Sequence, residues 1–293
     1  MSARHPIIAV TGSSGAGTSS VSSTFARIFQ REGVRAAMVE GDSFHRYDRT
    51  EMRTRVAAAD AAGNPHFSHF GPDANLFCEL ENLFQTYANG GRGRIRRYLH
   101  DAHEAAALGQ SAGSFTPWVE IDDDTDLLFY EGLHGGVVTT EVNIARHVDL
   151  LIGVVPVLNL EWIQKLWRDQ HIRGYSTDDV TATILRRMPD YVHYICPQFA
   201  LTHVNFQRVP VVDTSNPFQE EEIPAAEESL VVVRFADPAG IDFPYLLGSI
   251  AGASMSRANT VIIPGGQLEF AMQLIFTPLI WRLLEGRQKQ QRR

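Results

Sequence analysis

Gly12-Ser13-Ser14-Gly15-Ala16-Gly17-Thr18-Ser19 is the stretch on which the fold turns. Gly12 and Gly17 frame four residues, and a hydroxyl follows at Ser19. That spacing belongs to the phosphate-cradling loop G-x-x-x-x-G-K-[ST], in which amides hold phosphates, the lysine reaches the β- and γ-phosphates and the hydroxyl binds Mg²⁺. Thr18 stands where the lysine belongs. Before the loop, Pro6-Ile-Ile-Ala-Val10 reads as a short buried strand; after it, Val21, Phe25, Ile28 and Phe29 recur at helical spacing. A strand, a glycine turn and a helix start together form an anion site from backbone N–H groups and the helix dipole. Gly12, Ser13, Ser14, Gly15, Ala16, Gly17, Thr18, Ser19 and Ser20 are the expected nucleotide contacts, with Ser19 toward the metal. The γ-phosphate charge has to be met from elsewhere in the chain.

Strand-like runs follow at 36–40, 127–130, 150–157, 209–212, 230–235 and 260–263, separated by helical stretches. This alternation predicts an α/β fold, a mainly parallel sheet with helices on both faces. Ligands of such sheets lie beyond the carboxyl ends of the strands, so the polar residues just after each strand are the candidates. Residues 43–125 differ: they are rich in His, Asp, Gly and Arg, and read as an inserted lid or substrate region within a single unit of 293 residues. A last helix at 266–290 carries Leu268, Ala271, Met272, Ile275, Leu279 and Leu283 on one face and reads as structural.

The chain is 44% hydrophobic, enough for a large core, and no apolar run has the length of a membrane span. No signal peptide fits the N-terminus, and with Cys78 and Cys196 as the only cysteines a cytoplasmic setting is expected. A net charge of −8 disfavours nucleic acid as a partner. It also means that an anionic substrate has to be held by local cations against the overall field. Those cations are arginines: there are 24, against two lysines, and Lys289 lies in the polar tail, so Lys165 is the single lysine of the folded body.

Five groups carry the chemistry. Glu40-Gly41-Asp42 ends the second strand, which sets Asp42 beside the phosphate loop as the candidate to take a proton from an attacking hydroxyl. His45 and Arg49 follow at one-turn spacing and face a phosphorylated acceptor if the stretch is helical. Glu131, after the apolar run Leu127-Leu-Phe-Tyr130, matches the carboxylate that holds Mg²⁺ directly or through water. The run Gly91-Arg92-Gly93-Arg94-Ile-Arg96-Arg97-Tyr98-Leu-His100 joins four arginines to two hydrogen-bonding rings, a place for a phosphate and sugar hydroxyls. A helix at 159–172 places Trp162, Ile163, Leu166 and Trp167 on an apolar side and Lys165, Arg168 and Asp169 on the other, with Arg173 just beyond. Lys165 and Arg168 supply the charge that the loop lacks, and Asp169 is a second base candidate.

Taken in order, these segments resemble the phosphoribulokinases, specifically the bacterial form, of the P-loop nucleoside-triphosphate kinases. The likeness spans essentially the whole chain. It includes Glu40-Gly-Asp42-Ser-Phe-His45-Arg46, His66-Phe-Ser-His-Phe70, Arg94-Ile-Arg96-Arg-Tyr98-Leu-His100, Leu128-Phe-Tyr-Glu131-Gly-Leu-His134, Asn159-Leu-Glu-Trp-Ile-Gln-Lys165, Arg173-Gly-Tyr, Ile184-Leu-Arg186-Arg187-Met188 and Gln207-Arg-Val-Pro-Val-Val-Asp-Thr-Ser215. The missing loop lysine is itself a feature of this form. The resemblance implies transfer from ATP, with Mg²⁺, to the 1-hydroxyl of D-ribulose 5-phosphate in the Calvin cycle. It implies Asp42 as base, Lys165 and Arg168 on the transferring phosphoryl group, and Asp169 supporting the metal or acceptor. His45, Arg49 and Arg173 hold the sugar phosphate, with Tyr98 and His100 as further candidates. A homo-oligomer activated by NADH is implied too, with Arg186 and Arg187 as effector contacts. Ala16 fills the stretch where the plant form has its redox cysteine, so that thiol switch is not expected. A uridine-kinase-like enzyme and a non-catalytic nucleotide-binding regulator are the alternatives. The first needs a base-stacking pocket more than clustered arginines, and the second need not keep Asp42, Glu131 and the Lys165-Arg168-Asp169 set.

Overall fold

Strand β1 (Ile7–Gly12) is buried along its whole length. Successive side chains of a strand point to opposite faces, and β1 uses both: Ile8 and Val10 enter one hydrophobic core, Ile7 and Ala9 the other. A strand apolar on both sides belongs in the middle of a sheet covered on two faces. The computed structural model describes residues 4–13, 18–219 and 222–291, and for 18–20 and 288–291 the backbone alone. Ser14, Gly15, Ala16 and Gly17 of the expected phosphate loop therefore lie outside the described residues, as do the side chains of Thr18, Ser19 and Ser20.

The first half of the chain continues with α1 (Thr18–Glu32), β2 (Ala36–Glu40), α2 (Arg49–Ala61), α3 (Phe77–Gly90), β3 (Arg94–Ile95), α4 (Ala102–Ala107), β4 (Val119–Glu120) and β5 (Leu127–Gly132). The second half holds β6 (Leu150–Val155), α5 (Leu158–His171), α6 (Thr177–Asp190), β7 (Val204–Pro210), β8 (Ser229–Phe235), α7 (Phe243–Ser249), β9 (Ser254–Arg257), β10 (Thr260–Pro264) and α8 (Leu268–Gln291). Among the described residues one eight-stranded sheet runs β2-β5-β1-β6-β7-β8-β10-β9, and β3 pairs with β4 apart from it. The pairs β2–β5, β5–β1, β1–β6 and β6–β7 are parallel, whereas β7–β8, β8–β10 and β10–β9 are antiparallel. The mainly parallel expectation holds for the half that carries the nucleotide loop.

On one face α1, α7 and α8 cover the sheet. Phe25 of α1 is fully buried and its ring lies 4.8–4.9 Å from those of Phe129 and Phe276. Truncating such a side chain costs about 3–5 kcal/mol. On the other face α3 presents Phe77, Leu80, Leu83, Phe84 and Tyr87 to Leu128 and Tyr130 of β5. Part of the 43–125 segment is thus core, packed on the same sheet that its ends leave and rejoin. The buried seam of α8 runs Met272, Phe276, Ile280 and Leu284, while the predicted Leu279 and Leu283 are only partly buried. It follows an i,i+4 ridge, which drifts off a 3.6-residue spacing over three turns.

Two details set the geometry at the carboxyl ends of the parallel strands. The ends of β2 and β5 meet glycine to glycine: a Cβ on Gly132 would lie 2.7 Å from Gly41 Cα, and one on Gly41 would lie 2.8 Å from Gly132 Cα. Helix α6 is capped by the Ser176 side chain and contains Pro189, after which the chain widens into a π turn at Tyr191–Ile195. Such turns re-aim side chains; here Tyr191 is brought under α5.

Candidate active site

Asp42 sits in a short 3₁₀ turn, Gly41–Phe44, directly after β2. Its Oδ1 lies 3.1 Å from His45 Nε2 and its Oδ2 3.8 Å from His100 Nε2. Burial raises the carboxyl pKa, but the charge and hydrogen bond of His45, with His100, outweigh it and hold Asp42 below the ordinary range. Asp42 is accordingly an ionised acceptor, and 41% of its side chain is reachable by water. Arg49, the first residue of α2, donates from Nη2 to the His100 carbonyl at 2.7 Å. The Tyr98 ring lies 4.9 Å from that of His100 and 6.4 Å from that of His45. The chain therefore brings Asp42, His45, Arg49, Tyr98 and His100 together from three separate segments.

A second cluster stands on α5. Lys165 Nζ bonds Asp169 Oδ2, and Asp169 Oδ1 accepts from Arg168 Nε at 3.0 Å and Arg173 Nη1 at 3.1 Å. Lys165 and Asp169 are each only 4% exposed. Helix α5 is buried on both sides: Ile163 and Leu166 of the expected apolar side are 1% and 4% exposed, the charged side faces inward as well, and Trp167 is the one expected apolar residue left 36% exposed. The reason is position, since α5 follows β6 and its inner side borders the ligand edge and α6 rather than the core of the sheet. Burial and the Arg187 charge push Lys165 down to about 8, against the pull of Asp169. Asp169 is held below the ordinary range because Lys165, Arg168 and Arg173 outweigh its burial. In the first cluster burial raises the Tyr98 pKa, against the charges of Arg49 and, more weakly, Arg173.

Other expected residues fall elsewhere. Glu131 stands at the end of β5, in register with Glu40 of β2. Of the arginine run, Arg92, Arg94 and Arg97 face Asp123, Glu120 and Glu104 at 3.6–3.9 Å in exposed pairs. Arg96 instead donates to the carbonyls of Ser43 and His45 at 2.8 and 2.7 Å and stacks over Phe115 and Trp118. It clamps the Asp42 turn from behind. Arg186 makes a two-pronged bond to Asp60 of α2 at 2.7 and 2.9 Å. Arg187 turns the other way and is buried over the Phe70 ring, 3.9 Å from Glu161. The two adjacent arginines thus meet different partners, one at the surface and one buried. Gly12 ends β1 and Ser13, fully buried, follows it.

Several residues went unnoticed in the sequence. Glu161 of α5 is 2% exposed; burial raises its pKa, and Ser13, Arg187 and Tyr191 surround it. Asn75 and His69 pack against His45. Gln198 accepts from Thr11 Oγ1 at 2.8 Å and from Gly136 N at 2.9 Å, pinning the loop after β5 to β1. Nothing in composition separates a buried Glu, Asn or Gln from a solvated one. Only Glu161 and His69 fell inside the segments quoted above, and that was the one available signal.

The arrangement offers a strand-end carboxylate, a set of acceptor-side cations and a buried lysine on the helix after β6. Mg²⁺ fits it. Among the described residues no cluster of His, Cys, Asp or Glu would cage a metal. Mg²⁺ in phosphoryl transfer needs only one or two carboxylates beside water and the nucleotide phosphates, and Glu131 at the end of β5 can supply one such carboxylate. Comparison with known proteins agrees. The pattern of the family described as Phosphoribulokinase / Uridine kinase family matches residues 7–215. The chain is 66% identical over 289 residues to the plasmid phosphoribulokinase of Cupriavidus necator, covering 99% of each. It is 61% identical to the phosphoribulokinase of Nitrobacter vulgaris, covering 98% of this chain and 99% of that one. The solved phosphoribulokinase from Rhodobacter spheroides superposes with a TM-score of 0.90 at 55% identity, over 98% of this chain and 99% of that one. With a phosphate loop at the head of a parallel sheet, two charged clusters at its ligand edge and these full-length relatives, the chain belongs to the phosphoribulokinase / uridine kinase family.

Proposed function

We propose that the chain transfers the γ-phosphoryl group of MgATP to the 1-hydroxyl of D-ribulose 5-phosphate, giving ribulose 1,5-bisphosphate and ADP for the Calvin cycle. The observation that carries this reading is the placing of two charged clusters at the ligand edge of the parallel strands, Asp42 with His45 and His100 just after β2 and Lys165 with Arg168, Asp169 and Arg173 on and beside the helix that follows β6. Donor-side charge and acceptor-side charge thereby share one cleft. Asp42 accepts the hydroxyl proton as the sugar oxygen bonds to the γ-phosphorus and the bond to the ADP oxygen breaks. Its low basicity suits phosphoryl transfer, in which the carboxylate orients the nucleophile more than it activates it. Asp169, enclosed by three cations, is the weaker candidate for that proton and serves to fix Lys165 and the arginines. His45, Arg49, Arg173, Tyr98 and His100 hold the sugar phosphate. Lys165 and Arg168 stabilise the transferring group, in place of the loop lysine that Thr18 replaces. Ser19 and Glu131 would hold Mg²⁺, which would neutralise charge on the leaving oxygen of the nucleotide, and Gly12 to Ser20 would cradle the phosphates.

Activation by NADH, a homo-oligomeric state and a cytoplasmic setting complete the proposal. Two exposed free cysteines support the last. ATP consumption measured with ribulose 5-phosphate, with uridine and with neither tests the whole reading. Turnover confined to the sugar phosphate is expected; turnover with uridine, or with neither acceptor, overturns it. Repeating the assay with NADH, and sizing the protein in solution, decides the two finer points.

A further inference from the structure

The His45 ring is gripped at both nitrogens. Nε2 faces Asp42 Oδ1 at 3.1 Å and Nδ1 faces Asn75 Oδ1 at 2.9 Å. The Asn75 amide has one orientation available, because its Nδ2 donates to the carbonyls of His69 at 2.8 Å and Gly71 at 2.6 Å. Its oxygen is therefore what His45 meets, and an oxygen with only lone pairs to offer calls for an N–H. The carboxylate on the other side makes the same demand. Asn75 is 2% exposed and His45 6%, so water does not substitute for either partner.

We propose that Asn75 is a positioning residue that keeps a proton on both nitrogens of His45, and through that fixed cation holds Asp42 ionised and aimed at the acceptor hydroxyl. Every charged or titratable group packed against the ring fits this state. Asp42 approaches from the same turn, and its negative charge favours the cation. His69 stacks at 4.3 Å, and burial together with the His45 charge pushes it down to about 3, so it adds no competing charge. Buried His134, also pushed down to about 3, is neutral for the same reasons. Arg96 opposes the cation from behind but spends its donors on the Ser43 and His45 carbonyls. Tyr98 offers the edge of its ring. The residue thus acts on chemistry it does not touch: the sugar meets a rigid cation–carboxylate pair rather than a ring free to flip or discharge.

This inference rests on the reading of Asp42 and His45 given above, and two variants separate it from a scaffolding role. Asn75→Leu removes both the acceptor for His45 and the donors that pin residues 69–71. Asn75→Asp loses those donors but keeps an acceptor at Nδ1. The ring state is read by long-range ¹H–¹⁵N correlation on uniformly labelled protein, with His45 assigned from the signal lost in His45→Asn. We expect both ring nitrogens protonated at pH 8 in the parent and in Asn75→Asp. In Asn75→Leu the ring should discharge about 1–2 pH units lower, the shift for losing one hydrogen bond to a charged group. At pH 8.5 the KM for ribulose 5-phosphate should rise on the order of tenfold in Asn75→Leu, with little change for ATP, and the defect should shrink at pH 6.5. A bare nitrogen on His45 in the parent overturns the inference, as do Leu and Asp variants with the same pH-independent defect. Absence of turnover with ribulose 5-phosphate would sink the functional reading instead, while the nitrogen spectra would still decide the role of Asn75.

Discussion

Lys165→Met removes the one lysine of the folded body, which stands on α5 and not in the phosphate loop, where Thr18 takes the usual lysine position. Around Asp169 stand three cations, Lys165, Arg168 and Arg173, against one carboxylate, while Arg187 is answered by Glu161. The cluster holds a surplus of two positive charges, and the substitution halves it. Two unit charges about 4 Å apart interact by about 4 kcal/mol at an effective dielectric constant of about 20. Only the part gained between ground and transition state counts toward rate, so about 2–3 kcal/mol, or roughly 30- to 160-fold in kcat, is the expected loss. The fold should survive, since Asp169 keeps Arg168 at 3.0 Å and Arg173 at 3.1 Å. Lys165 also predicts a pH dependence. With its pKa pushed down to about 8, the side chain passes from mostly charged at pH 7 to mostly neutral at pH 9, so kcat/KM should fall across that range. Steady-state ADP release, with kcat and both KM values resolved from pH 6.5 to 9.5, measures each part. A Met variant within fivefold of the parent kcat would refute the reasoning and leave Arg168 or Arg173 as the cation.

Asp42→Asn should leave nucleotide binding near normal and cut turnover by roughly 10²–10⁴, the range for a positioned acid–base group; a loss under tenfold moves that role to Asp169. Arg49→Ala and His45→Asn should raise the KM for the sugar phosphate more than that for ATP, and Arg49→Ala should disturb His100 as well, whose carbonyl it holds at 2.7 Å. A rise confined to the KM for ATP would put both residues on the wrong side of the cleft. Acid should destabilise the protein well before its carboxylates titrate. His69 and His134 lie near 3 in the fold, through burial first, against 6.5 ordinarily. The unfolded chain therefore gains protons that the native state refuses, and stability is full above 6.5 and falls as pH drops toward 3. Calorimetric melting from pH 7.5 to 4 should show the decline, and a flat profile would mean that these rings are charged in the fold. Oxidation should not switch activity reversibly; loss regained with dithiothreitol would show that Cys78 or Cys196 controls turnover.

The parallel half of the sheet and its ligand edge were legible because apolar runs on central strands leave little choice of register or face. The run at 209–212 misplaced β7, which spans Val204–Pro210, because Asn205 and Gln207 on one face and Arg208 on the other interrupt the apolar pattern. Strand β9, Ser254–Arg257, carried no signal at all, being exposed at every residue. The site shows the same division. Asp42 and Glu131 announce themselves by standing at strand ends, and Lys165 as the single lysine of the folded body on the helix after β6. Asn75 lies 30 residues from His45, and Glu161 stands on the face of a helix that periodicity assigns to solvent, so only folding brings them in.

The glycine contact between the ends of β2 and β5 has a consequence for how the site keeps its shape. Gly41 precedes Asp42 and Gly132 follows Glu131, so the separation of the acceptor-side and metal-side acids is set by main chain resting on main chain. Steric contact of this kind ignores ionic strength, whereas the clusters around Asp42 and Asp169 are held by charges that added salt screens at their exposed members. Salt therefore acts on how tightly anions are gripped and leaves untouched the distance across which the two acids work. Alanine at either glycine does the reverse, prising the strand ends apart while every charge stays in place.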